Sequence, residues 1–260
     1  MTMMPALFVS HGAPTLVRDN VAARDFLAGY GRALGRPEAI VVVSAHWEVE
    51  PTRIGAAARP ATVHDFSGFP EELYRIRYPA PGAPDLAARI RDLVTAPGET
   101  AVLDEDHGWD HGVWVPLVLM YPDADVPIVQ VSVRPEAGPA WHYRLGELLR
   151  PLRTEGVLVL GSGSLTHNLC EFRGHAIEAP TEPWAEAFAG WIEGAVAEGR
   201  TDDLLAYRER APHAARNHPT EEHLVPLFVA LGAGTPGEAG RRVHESATFG
   251  VLAMDAYAFA

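Results

Sequence analysis

Cysteine is nearly absent from this chain. The single thiol, Cys170, excludes an intrachain disulfide and any thiolate metal cluster, so a metal site here has to use nitrogen and oxygen ligands. Cys170 follows His167 by three residues, which sets a nucleophile's role against simple packing; the residue type favours a packed thiol. There is no basic segment ahead of an apolar stretch at Met1-Thr2-Met3-Met4-Pro5, and no apolar run approaches the roughly 20 residues that cross a bilayer. We therefore expect a cytoplasmic protein with no membrane partner. Positive charge is also scarce: 21 Lys and Arg against 34 Asp and Glu give a net charge of −13, which argues against a nucleic-acid partner. Several motifs are missing too. There is no HExxH, and Gly161-Ser162-Gly163 has the wrong spacing for a nucleophile elbow, a dinucleotide fingerprint or a P-loop.

What is present is histidine, twelve in 260 residues, in a chain that is 47% hydrophobic and 21% charged. Three aliphatic runs each lead to one: Ala6-Leu7-Phe8-Val9-Ser10 to His11, Ile40-Val41-Val42-Val43-Ser44-Ala45 to His46, and Val157-Leu158-Val159-Leu160 through Gly161-Ser162-Gly163-Ser164 to His167. Short, continuously apolar, β-branched runs read as strands buried on both faces. Ligands of such sheets bind beyond the strands' carboxyl ends. With no linker in view, residues 1–260 are expected to form one α/β domain. Its central sheet is largely parallel or mixed, helices cover both faces, and a metal site sits at the strand carboxyl ends.

Between these runs, periodicity predicts helices from Asn20, as cap, to Leu34, and over 83–94, 113–121, 139–153, 183–198, 201–208 and 219–231. Further strands are expected at 52–56, 127–133 and 249–254. The stretch from Arg59 to Pro84 is rich in Pro, Gly and aromatics and reads as a wall or lid over the rim. Within it His64, Phe66, Phe69, Tyr74 and Tyr78 are candidates for an apolar slot that takes a flat ring, and packing of the loop is the competing reading. Arg134, Arg75 and Arg77 are candidate cations for a substrate carboxylate. Glu221 and Glu222 follow Pro219 and read as surface acids that complement a helix's positive end, while His223, one turn in, is placed to look inward. His142, His175, His213 and His244 are expected to be solvent-facing or locally hydrogen-bonded.

Eight stretches together resemble the class III extradiol ring-cleavage dioxygenases, in their DOPA-dioxygenase-type branch. They are Ser10-His11-Gly12-Ala13-Pro14, Val42-Val43-Ser44-Ala45-His46-Trp47, His64-Asp65-Phe66-Ser67-Gly68-Phe69-Pro70, Tyr78-Pro79-Ala80-Pro81-Gly82, Trp109-Asp110-His111-Gly112-Val113-Trp114, Met120-Tyr121-Pro122-Asp123-Ala124-Asp125-Val126-Pro127, Thr166-His167-Asn168-Leu169 and Pro219-Thr220-Glu221-Glu222-His223. Their order is the family's, and they span about Met4 to Leu231. The resemblance implies that His11, His46 and His223 bind a metal, and that His167 and His111 are acid/base groups acting on an aromatic diol and dioxygen. It further implies iron(II) or zinc, one per chain, with His167 as a fourth ligand when zinc fills the site. In protocatechuate-cleaving relatives the third ligand is a glutamate, which keeps Glu221 and Glu222 as alternatives to His223. A facial set of three protein ligands suits the reaction because it leaves room for both reactants. Two other readings use the same histidines: a zinc-dependent hydrolase and a non-catalytic metal-binding relative. The sequence leaves a homo-oligomer open.

Overall fold

The apolar runs do form the middle of a sheet. In the computed structural model, which describes residues 3–172 and 174–260, eight strands make one mixed sheet and two more a small hairpin. In chain order the strands are β1 (Ala6–Ser10), β2 (Ala39–Glu48), β3 (Thr52–Gly55), β4 (Ala101–Asp104), β5 (Ile128–Val133), β6 (Val157–Gly163), β7 (Arg241–His244), β8 (Ala247–Thr248), β9 (Leu252–Ala253) and β10 (Ala256–Phe259). The large sheet runs β4-β3-β5-β2-β6-β1-β10-β7. Strands β5, β2, β6 and β1 are mutually parallel, whereas β3 is antiparallel to β5 and β10 to β1.

Alternation along the central strands assigns each side chain to a face. From β2, Val41 and Val43 pack with Leu145, Leu149 and Phe228 on one side, while Ile40 and Val42 pack with Leu27, Val113 and Leu117 on the other. The helices are α1 (Ala22–Leu34), α2 (Pro84–Thr95), α3 (His111–Met120), α4 (Gly138–Leu149), α5 (Pro183–Ala197), the short α6 (Thr201–Leu205), α7 (Tyr207–Arg210) and α8 (Ala214–Asn217), and α9 (Val225–Ala233), and these partners come from α1, α3, α4 and α9. No described helix is long and apolar enough to cross a membrane.

Several sequence expectations need correction. Asn20 does not cap α1; Val21 holds that position and gives no side-chain bond. The helix expected over 201–208 is two short ones, α6 and α7. The helix expected from 219 begins only at Val225, so Glu221 and Glu222 complement no helix terminus. The reason is tertiary: Arg208 donates to the His218 and Pro219 carbonyls and Ser164 N donates to His223 O, which hold this stretch in a turn. The run at 249–254 is a hairpin rather than a strand, because Phe249 at φ 55° and Gly250 at φ 66° turn the chain between β8 and β9. Cys170 is exposed, not packed.

His142 is fully buried but locally bonded, as expected: Nδ1 lies 2.8 Å from Gly138 O and Nε2 accepts from Arg134 N at 3.2 Å. Burial lowers its pKa to about 4, with the Gly138 bond opposing. The unfolded chain therefore takes up this proton first as the pH falls. The stability His142 contributes is complete above about pH 6.5 and lost on the way down to about 4, on the order of 3 kcal/mol. Denaturant titrations at pH 7 and pH 4.5 should show a clear loss of stability in acid, and a smaller pH dependence in His142→Asn; an equal slope in that variant would refute the assignment.

Candidate metal centre

Strand register brings the first two histidines together. Ser10 lies opposite Gly163 and Ser44 opposite Ser162, so the carboxyl ends of β1, β6 and β2 form adjacent steps of one rim. His11 leaves β1 at this rim, its N donating to Gly163 O at 2.9 Å. β2 continues past Val43 through an irregular register to Glu48, and His46 falls in that irregular part, where bulged strands re-aim side chains. The third side chain comes from the turn before α9. Ser164 N captures His223 O at 2.9 Å, and a Cβ on Gly163 would meet that oxygen at 2.1 Å, so only glycine allows the turn to lie this close to β6.

The ring nitrogens of His11, His46 and His223 lie within 4.8 Å of one another. Each ring has an acceptor behind it. His223 Nδ1 donates to Glu222 Oε1 at 2.8 Å, and His11 Nδ1 donates to Ser162 Oγ at 3.1 Å, because the Ser162 hydroxyl proton is already given to Gly112 O. His46 Nδ1 faces Asp65 Oδ2 at 3.5 Å. For His223 and His11 these partners place the proton on Nδ1 and leave Nε2 bare on the inner side, and the Asp65 carboxylate favours the same tautomer of His46. There, His11 Nε2 and His46 Nε2 stand 3.0 Å apart, and His223 Nε2 is buried with no hydrogen-bond partner among the described residues. Three converging lone pairs repel one another unless a cation lies between them, so the donor set fits a metal ion. Burial first, then the neighbouring imidazoles, pushes all three pKa values down and keeps the rings neutral, as ligands must be.

The other two site histidines flank this triad. His111 opens α3, where Asp110 caps the helix, accepting from Val113 N at 3.2 Å and from Ser44 Oγ at 2.7 Å. Its Nδ1 donates to Asp65 Oδ2 at 2.8 Å and its backbone N to Asp65 Oδ1 at 2.9 Å. Burial pushes the Asp65 carboxyl up, but these bonds from His111 outweigh it and hold the group at about 2. Asp65 is thus an anion that ties the aromatic loop to His111 and His46 together. His167 lies flat on His223, ring centroids 3.4 Å apart, and groups with His223 and Glu222 rather than with the inner triad. Burial lowers its pKa to about 4 against the pull of Glu222.

A cavity of about 490 Å³ opens over these five imidazoles, walled by Phe66, Phe69, Phe172, Phe249 and Leu252 among others. The remaining sequence candidates are not brought to it. His64 bonds Ile76 O at 3.2 Å and packs against Phe66 from behind; Tyr78 is buried in the core, its hydroxyl donating to Tyr121 O at 2.9 Å. Arg134 pairs with Glu50 and Glu99 and lies over Trp141. Arg75 pairs with Glu71, and Arg77 donates to the Tyr74 and Ile76 carbonyls. Glu222 sits behind His223, and Glu221 faces Tyr207 and Arg208. Nothing local in the sequence marks Asp65 or Ser162, whose partners are 46 and 151 residues away, and Glu222, expected as a surface acid or as an alternative third ligand, instead accepts from His223 Nδ1.

Convergent neutral imidazoles at the strand ends of a mixed α/β sheet, under an apolar cavity, define a metal-dependent enzyme of small aromatic or aliphatic molecules. The chain belongs to the family described as "Catalytic LigB subunit of aromatic ring-opening dioxygenase", whose model matches residues 6–259. It is 40% identical over 256 residues to a Beta vulgaris protein named 4,5-DOPA dioxygenase extradiol, covering 97% of this chain and 95% of that one. An Escherichia coli protein of the same name is 40% identical over 257 residues, covering 97% and 93%. The crystal structure of an uncharacterized protein from Escherichia coli K12 superposes with a TM-score of 0.83 at 35% identity, over 99% of this chain and 100% of that one. The chain is therefore an extradiol ring-opening dioxygenase.

Proposed function

We propose that this enzyme opens the ring of a catechol carrying a short DOPA-like side chain, with one iron(II) held by His11, His46 and His223. The observation that carries this reading is the set of three bare Nε2 atoms, each with its Nδ1 turned to an acceptor, at the floor of a cavity walled by phenylalanines. Bound there, iron(II) supplies a Lewis acid for the diol and the one-electron exchange that a spin-paired ring and dioxygen need in order to react.

The chain's own residues do the rest. Phe66 and Phe69 line the slot for the flat ring and keep water from it. His167, neutral at ordinary pH, takes the proton of one diol hydroxyl on Nε2, its Nδ1 side facing Glu222 at 4.0 Å. His111, with Nδ1–H committed to Asp65, offers a bare Nε2 to the second hydroxyl and later returns that proton to the opened product. Both oxygen atoms of O2 enter the product, one at each end of the broken carbon–carbon bond, leaving a carboxylate and an aldehyde.

The test is to load the protein anaerobically with iron(II) or with zinc, then admit oxygen with a panel of catechols. A yellow ring-opened semialdehyde, 32 mass units heavier than the diol, is expected with iron alone. No ring opening by the iron-loaded protein, across the panel, would overturn the proposal.

A further inference from the structure

The cavity has one carboxylate on its lining and no described cation. Asp19 stands just beyond the turn Pro14–Val17, half-buried, and contributes to the wall. Its neighbour Arg18 turns away to pair with Glu72, so it does not neutralise Asp19. Among the described residues, no arginine lines the cavity, and the chain contains no lysine, all 21 of its cationic residues being arginine. The three arginines that the sequence offered for a substrate carboxylate are each engaged elsewhere, Arg134 with two glutamates, Arg75 with Glu71 and Arg77 with backbone carbonyls.

Two physical consequences follow. An anionic substituent entering a phenylalanine-walled cavity would lose its hydration with no arginine among the described residues of the lining to receive it, and it would do so next to Asp19. A cationic substituent meets the opposite situation: a charge-assisted bond to Asp19 and the attraction of a protein of net charge −13 during approach. Aromatic walls also favour an ammonium group over a carboxylate through the negative faces of their rings.

We propose that the cavity selects catechols whose side chain bears an ammonium group, and that Asp19 is the residue that recognises it. The proposal rests on the ring-opening reading given above and names its substrate class. The ammonium, rather than any carboxylate on the same side chain, is the handle.

Three 4-substituted catechols of similar size separate the charges: 4-(2-aminoethyl)catechol, 4-ethylcatechol and 3,4-dihydroxyphenylacetate. Anaerobic calorimetric titration of the zinc-loaded protein reads binding alone, and oxygen uptake by the iron-loaded protein reads turnover. The aminoethyl compound should bind about 3- to 10-fold tighter than the ethyl compound, and the acetate weakest. D19N should bring the aminoethyl-to-ethyl ratio close to one, through KM rather than kcat, and D19R should invert the order in favour of the acetate. Equal affinities for all three, tighter binding of the acetate by the wild type, or an unchanged ratio in D19N would each overturn the proposal. Charge-ranked binding without any ring opening would instead leave Asp19's role standing and remove the reaction on which the substrate class rests.

Discussion

His223→Ala is expected to leave the protein folded but unable to hold its metal through dialysis. The ring it removes carries the Nε2 of the triad that is buried with no hydrogen-bond partner among the described residues, and a buried polar atom of that kind is costly unless something binds it. Deleting it leaves two nitrogens, those of His11 and His46, which face each other at 3.0 Å. The backbone contact that anchors the turn, His223 O with Ser164 N, does not involve the side chain and survives the change. Loss of a partner behind a ligand typically costs about 10–100-fold in metal affinity, so loss of the ligand itself should exceed that. Metal analysis of the dialysed variant and its circular dichroism give the two readouts. Stoichiometric metal in a folded His223→Ala protein would show that the third ligand lies elsewhere.

His167→Ala should behave in the opposite way, keeping the metal and losing the rate. His167 stacks on the outer face of His223 and does not belong to the inner triad, so its removal leaves three nitrogens in place. What disappears is a neutral base over the cavity, and a positioned base contributes about 10²–10⁴-fold to such reactions. The loss should fall on kcat, because Phe66 and Phe69 still form the ring's slot. An iron-loaded variant that cleaves a catechol at the wild-type rate would take the proton-accepting role away from His167.

The strands that matter most were legible because they are buried on both faces. β1 and β6 have no polar face to confuse the pattern, and the histidines that follow the apolar runs of β1 and β2 could be placed at the rim from position alone, although β2 itself continues through His46 to Glu48. The late strands were not legible: β7, Arg241–His244, is polar enough to hide its role at the edge, and β10 reads as a short run of small and aromatic residues after a turn. Pro219 and the glutamates after it imitate a helix start, and only tertiary ties from Arg208 and Ser164 keep that stretch in a turn.

Within the site, residue type pointed to the converging histidines but not to what orients them. Asp65, Glu222 and Ser162 orient the imidazoles of His111, His223 and His11, yet an aspartate in a loop or a serine in a strand carries no local mark of a partner across the fold. The aromatic stretch divided for a similar reason. Phe66 and Phe69 face the cavity while Tyr78, twelve residues past Phe66 in a segment of the same composition, is committed to Tyr121 in the core.

The most direct test of the account is X-ray absorption at the metal K-edge of the loaded wild-type protein, read alongside the His11→Ala, His46→Ala and His223→Ala variants. One ion per chain with three imidazole nitrogens at about 2.0–2.2 Å, and loss of one nitrogen or of the ion in each variant, is the expected result. A spectrum fitted by carboxylate oxygens and one or no imidazole, unchanged in the three variants, would contradict it.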